Sequence, residues 1–243
     1  MKRMLALFLG VLLALGSVFV AQETVSADQS TKITPESYIS YLSDKINAGE
    51  EDVQETLQQF KALTPEEQNA FVEFLQSDDY SQILLNETES TEINWDETNL
   101  EVPVKLSLEE KSTTSPGFSA FAATSAMVTK SRGISVFGIE TTTLTLELYY
   151  THNGTKATSA NDVVMGHKNN NPAFWITPAS SEKYLDGTGY AVGRGTWTVA
   201  STGTVGGLSS TYHIWVKDSN GKHGYWKYSW NHHNGGSNNW TKI

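Results

Sequence analysis

The chain contains no cysteine. That excludes a disulfide framework, thiolate metal sites, a cysteine nucleophile and a lipid-bearing N-terminal cysteine. A chain of 243 residues can do without such staples, because a core of that size carries its own fold. Catalytic signatures are missing as well: there is no Gly-x-Ser-x-Gly, no His-Glu-x-x-His and no phosphate loop. The stretch "GTGYAVGRGTW" (Gly187 to Trp197) has the glycines of a phosphate loop without its Lys-Ser/Thr or a following helix. Those glycines read as bulges or tight turns between strands. Beyond Glu110 the only carboxylates are Glu140, Glu147, Asp162, Glu182, Asp186 and Asp218, and glycosidase chemistry needs two of them facing across a cleft. The reading is of a non-enzymatic protein with no cofactor. A Leu-Pro-x-Thr-Gly sorting signal is absent too, so covalent attachment to a cell wall is not indicated.

Long apolar runs are also scarce, and the single one lies at the start. Met1-Lys2-Arg3 is a short basic opening, Met4 to Val20 is almost wholly apolar, and Val25-Ser26-Ala27 follows. Basic, apolar, then small-x-small is the layout of a secretory signal peptide. The run approaches the ~20 residues that span a bilayer. Gly10, Gly16 and Ser17 weaken it as an anchor, and no basic stop-transfer cluster follows. Secretion with cleavage after Ala27 is expected, leaving a soluble chain from Asp28.

Charge of one sign is lacking in each half. Asp28 to Glu110 holds 20 acidic and 4 basic residues, a net of −16, whereas Lys111 to Ile243 holds 6 acidic and 11 basic, a net of +5. Lys2, Arg3 and Glu23 supply the remainder of the whole-chain −10. Opposed halves point to distinct partners or to one half screening the other. A net of +5 within an acidic protein speaks against a nucleic-acid partner.

The acidic half reads as a small helical region, residues 28–85. Thr34-Pro35 gives an N-cap followed by a pre-organised first turn, and Tyr38, Leu42 and Ile46 recur at i+4. Val53, Leu57 and Phe60 form a second stripe. Thr64-Pro65-Glu66-Glu67 restarts the pattern with a capping box, ahead of Phe71, Phe74 and Leu75, and Asp78 to Leu85 adds a short fourth turn. Helices of ~12 residues are marginal alone, so the unit is expected to dock on something. Residues 86–117 mix acidic and hydroxyl side chains and read as an acidic linker. "NLEVPVKLSL" within it makes one strand, which Pro103 would confine to an edge.

Residues 118–243 read as strands throughout. Leu144, Leu146, Leu148 and Tyr150 alternate with polar or outward residues, the period of a half-buried sheet. Asn153-Gly154 and Asn220-Gly221 are hairpin signals, and "AMVTKSRGISVFGIE", "AFWITP" and "GYAVGRGTWTVAS" supply further strands. The fold class is α+β in two parts: the helical region, then an all-β antiparallel sandwich of Ig-like architecture, without the Cys-Trp-Cys pattern of true immunoglobulin domains.

The closing stretch, His213 to Ile243, is crowded with aromatics. Tyr212, Ile214 and Val216 share one side of a strand, with His213 and Trp215 opposite. Trp226, Tyr228 and Trp230 share a side of the next, with Tyr225, Lys227 and Ser229 opposite. One face of each must line a core; aromatics beyond that need form an exposed patch, which marks a binding site. The candidate ligand-binding residues are Trp215, His223, Trp226, Trp230, His232, His233 and Trp240. Flat rings beside Asn, His and Ser donors suit a cell-wall polymer or carbohydrate. Trp and Tyr near Lys217, Lys222, Lys227 and Lys242 also suit a membrane surface. A metal reading of the histidines has no recognised spacing behind it. Gly-x-Trp, Tyr and His pairs in the C-terminal third are similar to those of secreted β-sandwich bacteriocins, which implies an alternative: a membrane-active antagonist restrained by the acidic half. No residue role is carried over from that similarity.

Overall fold

The computed structural model describes residues 32–85, 92–96, 100–114, 123–202, 209–222, 224–230 and 236–243, with backbone alone at 92–96, 114 and 236–238. The expected signal segment lies outside the described residues. Four short helices come first: α1 (Pro35–Asn47), α2 (Val53–Ala62), α3 (Pro65–Leu75) and α4 (Asp78–Leu85). The Thr64–Glu67 capping box forms, with the Glu67 amide donating to Thr64 Oγ1 at 3.3 Å and the Thr64 amide to Glu67 Oε2 at 2.8 Å. Thr34 caps α1 in the same way with Ser37 as its partner. Tyr38, Leu42, Val53, Phe60, Phe71, Phe74 and Leu75 are all buried, so each apolar stripe becomes a packing face.

The strands are β1 (Glu92–Asp96), β2 (Glu101–Thr114), β3 (Thr124–Val136), β4 (Ile139–His152), β5 (Ala157–Asn169), β6 (Phe174–Leu185), β7 (Ala191–Ser201), β8 (Ser209–Asp218), β9 (Tyr225–Trp230) and β10 (Gly236–Lys242). They form two five-stranded antiparallel sheets, in the orders β1-β2-β3-β4-β5 and β10-β9-β8-β7-β6. Each is a meander in chain order. The immunoglobulin sandwich is instead joined by Greek keys, so the likeness stops at two layers packed face to face. Asn153-Gly154 turns β4 into β5, with Gly154 at φ +89° and Asn153 Oδ1 accepting from the amides of Thr155 and Lys156. Asn220-Gly221 turns β8 toward β9, where buried Asp218 accepts from the amides of residues 219, 220 and 221.

Three expectations change here. The segment expected as a linker with one strand supplies two: the expected strand is there as β2, longer than expected, and β1 is added, so the first sheet begins well before residue 118, and Val102, Val104 and Leu106 are buried in the core. Pro103 does not hold β2 at an edge, since β1 pairs on one side and β3 on the other. The reason is positional. The Pro103 carbonyl accepts from Phe137 at the β3–β4 turn, so the missing N–H falls where the β2–β3 ladder ends. Gly193 and Gly195 are not bulges: they stand mid-strand in β7, where an added Cβ would lie 3.0 Å from Val163 and 2.7 Å from Leu146 respectively. Glycine there lets β7 approach β4 and β5 closely.

The helices dock on one end of the sandwich and share its core. Tyr80 stacks on Phe174 with ring centroids 5.6 Å apart, and its hydroxyl bonds the Thr141 and Thr142 hydroxyls at 2.9 and 2.7 Å. Arg132, inward-facing on β3, donates to the carbonyls of Leu84 (2.7 Å) and Ile83 at the end of α4. Asn171 donates to the Leu75 carbonyl at 2.8 Å and Asn170 to Thr56 at 3.0 Å. No helix among the described residues is long and apolar enough to cross a membrane.

Candidate functional site

Alternation along β8 and β9 divides their aromatics between two faces, and packing against the first sheet buries one of them. Tyr212, Ile214 and Val216 turn inward with Trp226 and Tyr228, leaving Trp215, Lys217, Tyr225 and Lys227 on the outer face of the second sheet. The hairpin register then sets Glu182, Arg194, Trp215 and Lys227 side by side across β6, β7, β8 and β9, with Tyr184, Val192, Lys217 and Tyr225 in the next row. A bulge in β10 between Ser237 and Thr241 brings Trp240 beside both rows.

The result is a chain of cations interleaved with rings. Lys217 Nζ lies 4.6 Å from the Tyr190 ring centroid, 5.5 Å from that of Tyr225 and 4.4 Å from that of Trp240. Lys227 Nζ bridges Trp240 (5.1 Å) and Trp215 (5.0 Å), and the Arg194 guanidinium sits 5.1 Å from Trp215. Each such contact contributes about 0.5–1 kcal/mol at an exposed site, enough to orient a lysine without neutralising it. Arg194 also bonds His213 Nδ1 at 3.1 Å and approaches Glu182 at 3.5 Å. Beside this face, burial alone would push the Asp186 carboxyl up. Bonds from the Tyr190 amide and from the Thr188 amide and hydroxyl overcome that and hold it below the usual range, with Lys217 adding to the effect. Burial pushes the Tyr190 phenol up, with Tyr225 nearby.

Of the expected binding residues, Trp215 and Trp240 stand together, joined through Lys227. Trp226 is a correction: only 6% exposed, it faces the core with Lys130 Nζ 3.6 Å from its ring, because period-two alternation puts it on the inward side. Trp230 sits on that inward side too, half-buried and stacked on Tyr228 at 5.5 Å. His223, His232 and His233 lie outside the described residues. Among the described residues no group of three His, Asp or Glu is placed to hold a metal ion. Arg194, Tyr190 and Tyr225 were not expected here; the Asn220-Gly221 turn, which fixes the pairing of Trp215 with Lys227, could have pointed to Tyr225.

A polar groove of about 650 Å³ lies between α2 and the outer face of the first sheet and includes Glu55, Glu109 and Glu140. Glu109 pairs across the sheet with Ser131 and Glu140 with Ser135. Four residues of strand separate those rows by about 13 Å at the backbone. Glu55 is bonded by Gln59 at 3.1 Å.

The fold and site thus define a two-layer β-sandwich, capped at one end by helices, with a cationic and aromatic outer face. No family model matches this sequence, and no curated protein or solved structure is significantly similar to it.

Proposed function

We propose that this is a secreted, non-enzymatic binding protein whose second sheet recognises an anionic glycopolymer of the cell surface. The observation that carries the reading is the unbroken series Arg194, Trp215, Lys227, Trp240 and Lys217 on one sheet face. Phosphate or carboxylate groups of a polymer would meet the three cations, while the C–H faces of its sugar or polyol units would lie on the two indoles. Neither chemistry requires a deep pocket, and a repeating ligand suits a repeating row. The location outside the cell rests on the Met1 to Ala27 pattern alone.

The alternative, a membrane-active antagonist masked by its acidic helices, needs those helices over the basic face. Their described hydrogen bonds to the sandwich run instead to β3, β4, the end of β5 and the β5–β6 connection. That favours a reading in which recognition needs no unmasking.

Co-sedimentation with purified cell walls tests the proposal. The chain from Asp28 should pellet with intact walls and lose most binding to walls stripped of anionic polymer. Trp240→Ala and Lys227→Gln should each weaken binding about tenfold while the fold survives. Normal binding by both variants, or binding confined to anionic vesicles, would sink the idea.

A further inference from the structure

A second site is built where the helices meet the sandwich. A groove of about 550 Å³ opens between the α1–α2 connection and the start of β6, within the range of small-ligand pockets. Trp175 stands on its wall, 66% exposed, the largest exposure among the large apolar side chains described. Strand alternation forces this: Phe174 and Ile176 are buried on either side, so Trp175 must point out. Standing on the wall of a cavity, its indole offers a ligand a large flat apolar face with a polar N–H handle.

The opposite wall is polar and internally balanced. Lys45 Nζ lies 2.8 Å from Glu50 and donates to the Asn169 carbonyl at 2.9 Å, while Lys168 Nζ faces Asp52 at 3.7 Å. Tyr41 donates to the same Asn169 carbonyl at 3.3 Å. His167 completes the lining, its pKa lowered by partial burial and by Lys45 beside it. Two ammoniums matched by two carboxylates give no net pull on an anion or a cation, since each would meet its own sign. They give alternating donors and acceptors, which is what sugar hydroxyls need.

We propose that this groove binds a neutral pyranose unit stacked on Trp175, with its hydroxyls held by Asp52, Lys168 and the Lys45–Glu50 pair. The site is composite, with Trp175 on one side and, on the other, residues of the α1–α2 segment joined by the end of β5, so the helical region contributes directly to binding. It is independent of the cationic face: Trp175 pairs with Ala200, six residues along β7 from Arg194, about 20 Å away.

The test is titration of the chain from Asp28 with neutral disaccharides (maltose, cellobiose and N,N′-diacetylchitobiose) up to about 10 mM, which captures weak millimolar binding. Tryptophan fluorescence and its protection from acrylamide report the contact. At least one sugar should bind and shield an indole. Trp175→Ala should weaken it at least tenfold, Trp175→Phe should restore part of the loss, and Asp52→Asn should weaken it several-fold. Trp240→Ala, which impairs wall binding in the reading above, should leave it unchanged, so the two proposals fail separately. Binding by none of the sugars, or binding that survives Trp175→Ala, would overturn it.

Discussion

Lys130 faces inward from β3 between Val128 and Arg132, with its side chain 1% exposed. Glu110 reaches it at 2.5 Å from β2, and the Trp226 ring lies 3.6 Å from its ammonium. A buried charge is tolerable only while paired, and removing one partner of a fully buried pair costs about 3–5 kcal/mol. Glu110 keeps some contact with water, which lowers that figure. Glu110→Ala should therefore destabilise the fold by about 2 kcal/mol in urea unfolding, and Lys130→Met added to it should recover much of the loss. No recovery in the double variant would remove the ammonium's loss of Glu110 as the cause. His167 carries a pH dependence of known sign. Partial burial and Lys45 lower its folded pKa below the ordinary 6.5, so the unfolded chain binds the proton more readily. The stabilisation is complete above pH 6.5 and is lost as pH falls through the folded pKa. Melting curves between pH 7.5 and 5 should fall more steeply for the wild type than for His167→Gln; parallel curves would refute it.

At the scale of elements, what was legible followed from local chemistry. Thr64 and Glu67 announce the start of α3 because a capping box uses residues three apart. The two Asn-Gly turns announce hairpins because they supply φ > 0. The strand in the acidic stretch was legible as a strand, but not as an inner one. Glu101, Lys105, Glu109 and Lys111 fall on the outer face of β2, while Val102, Val104 and Leu106 alternate inward to be covered by a sheet distant in sequence. The hold on α4 shows the same dependence. Arg132 is one of two cations in the strand stretch "VTKSRG", where nothing local marks it for a role, yet it ties the carbonyls of Ile83 and Leu84 across 49 and 48 residues. Arg132→Ala should leave α4 amides exchanging with solvent well ahead of those in β3 and β4 in hydrogen-exchange experiments. Uniform protection of helix and strands would show that the guanidinium is not what holds the helix.

Across the whole molecule, the opposed charges of the two halves meet in a limited way. Asp52 and Lys168 approach across the seam between helices and sandwich, but the net positive outer face of the second sheet keeps its own partners, the rings of Trp215, Trp240, Tyr190 and Tyr225. Sequence alone set the helix caps, the hairpin turns, the period of each strand and the two faces on which the closing aromatics divide. These are short-range properties, decided within four residues by backbone sterics and hydrogen bonding. Only the tertiary structure decided which of the two faces became core. That choice buried Trp226 under Lys130, set Trp215 beside Lys227 and Arg194, and left Trp175 facing a groove that Tyr41, Lys45, Glu50 and Asp52 line from more than a hundred residues away. Burial depends on which distant surface arrives to cover a face, and no local pattern carries that information.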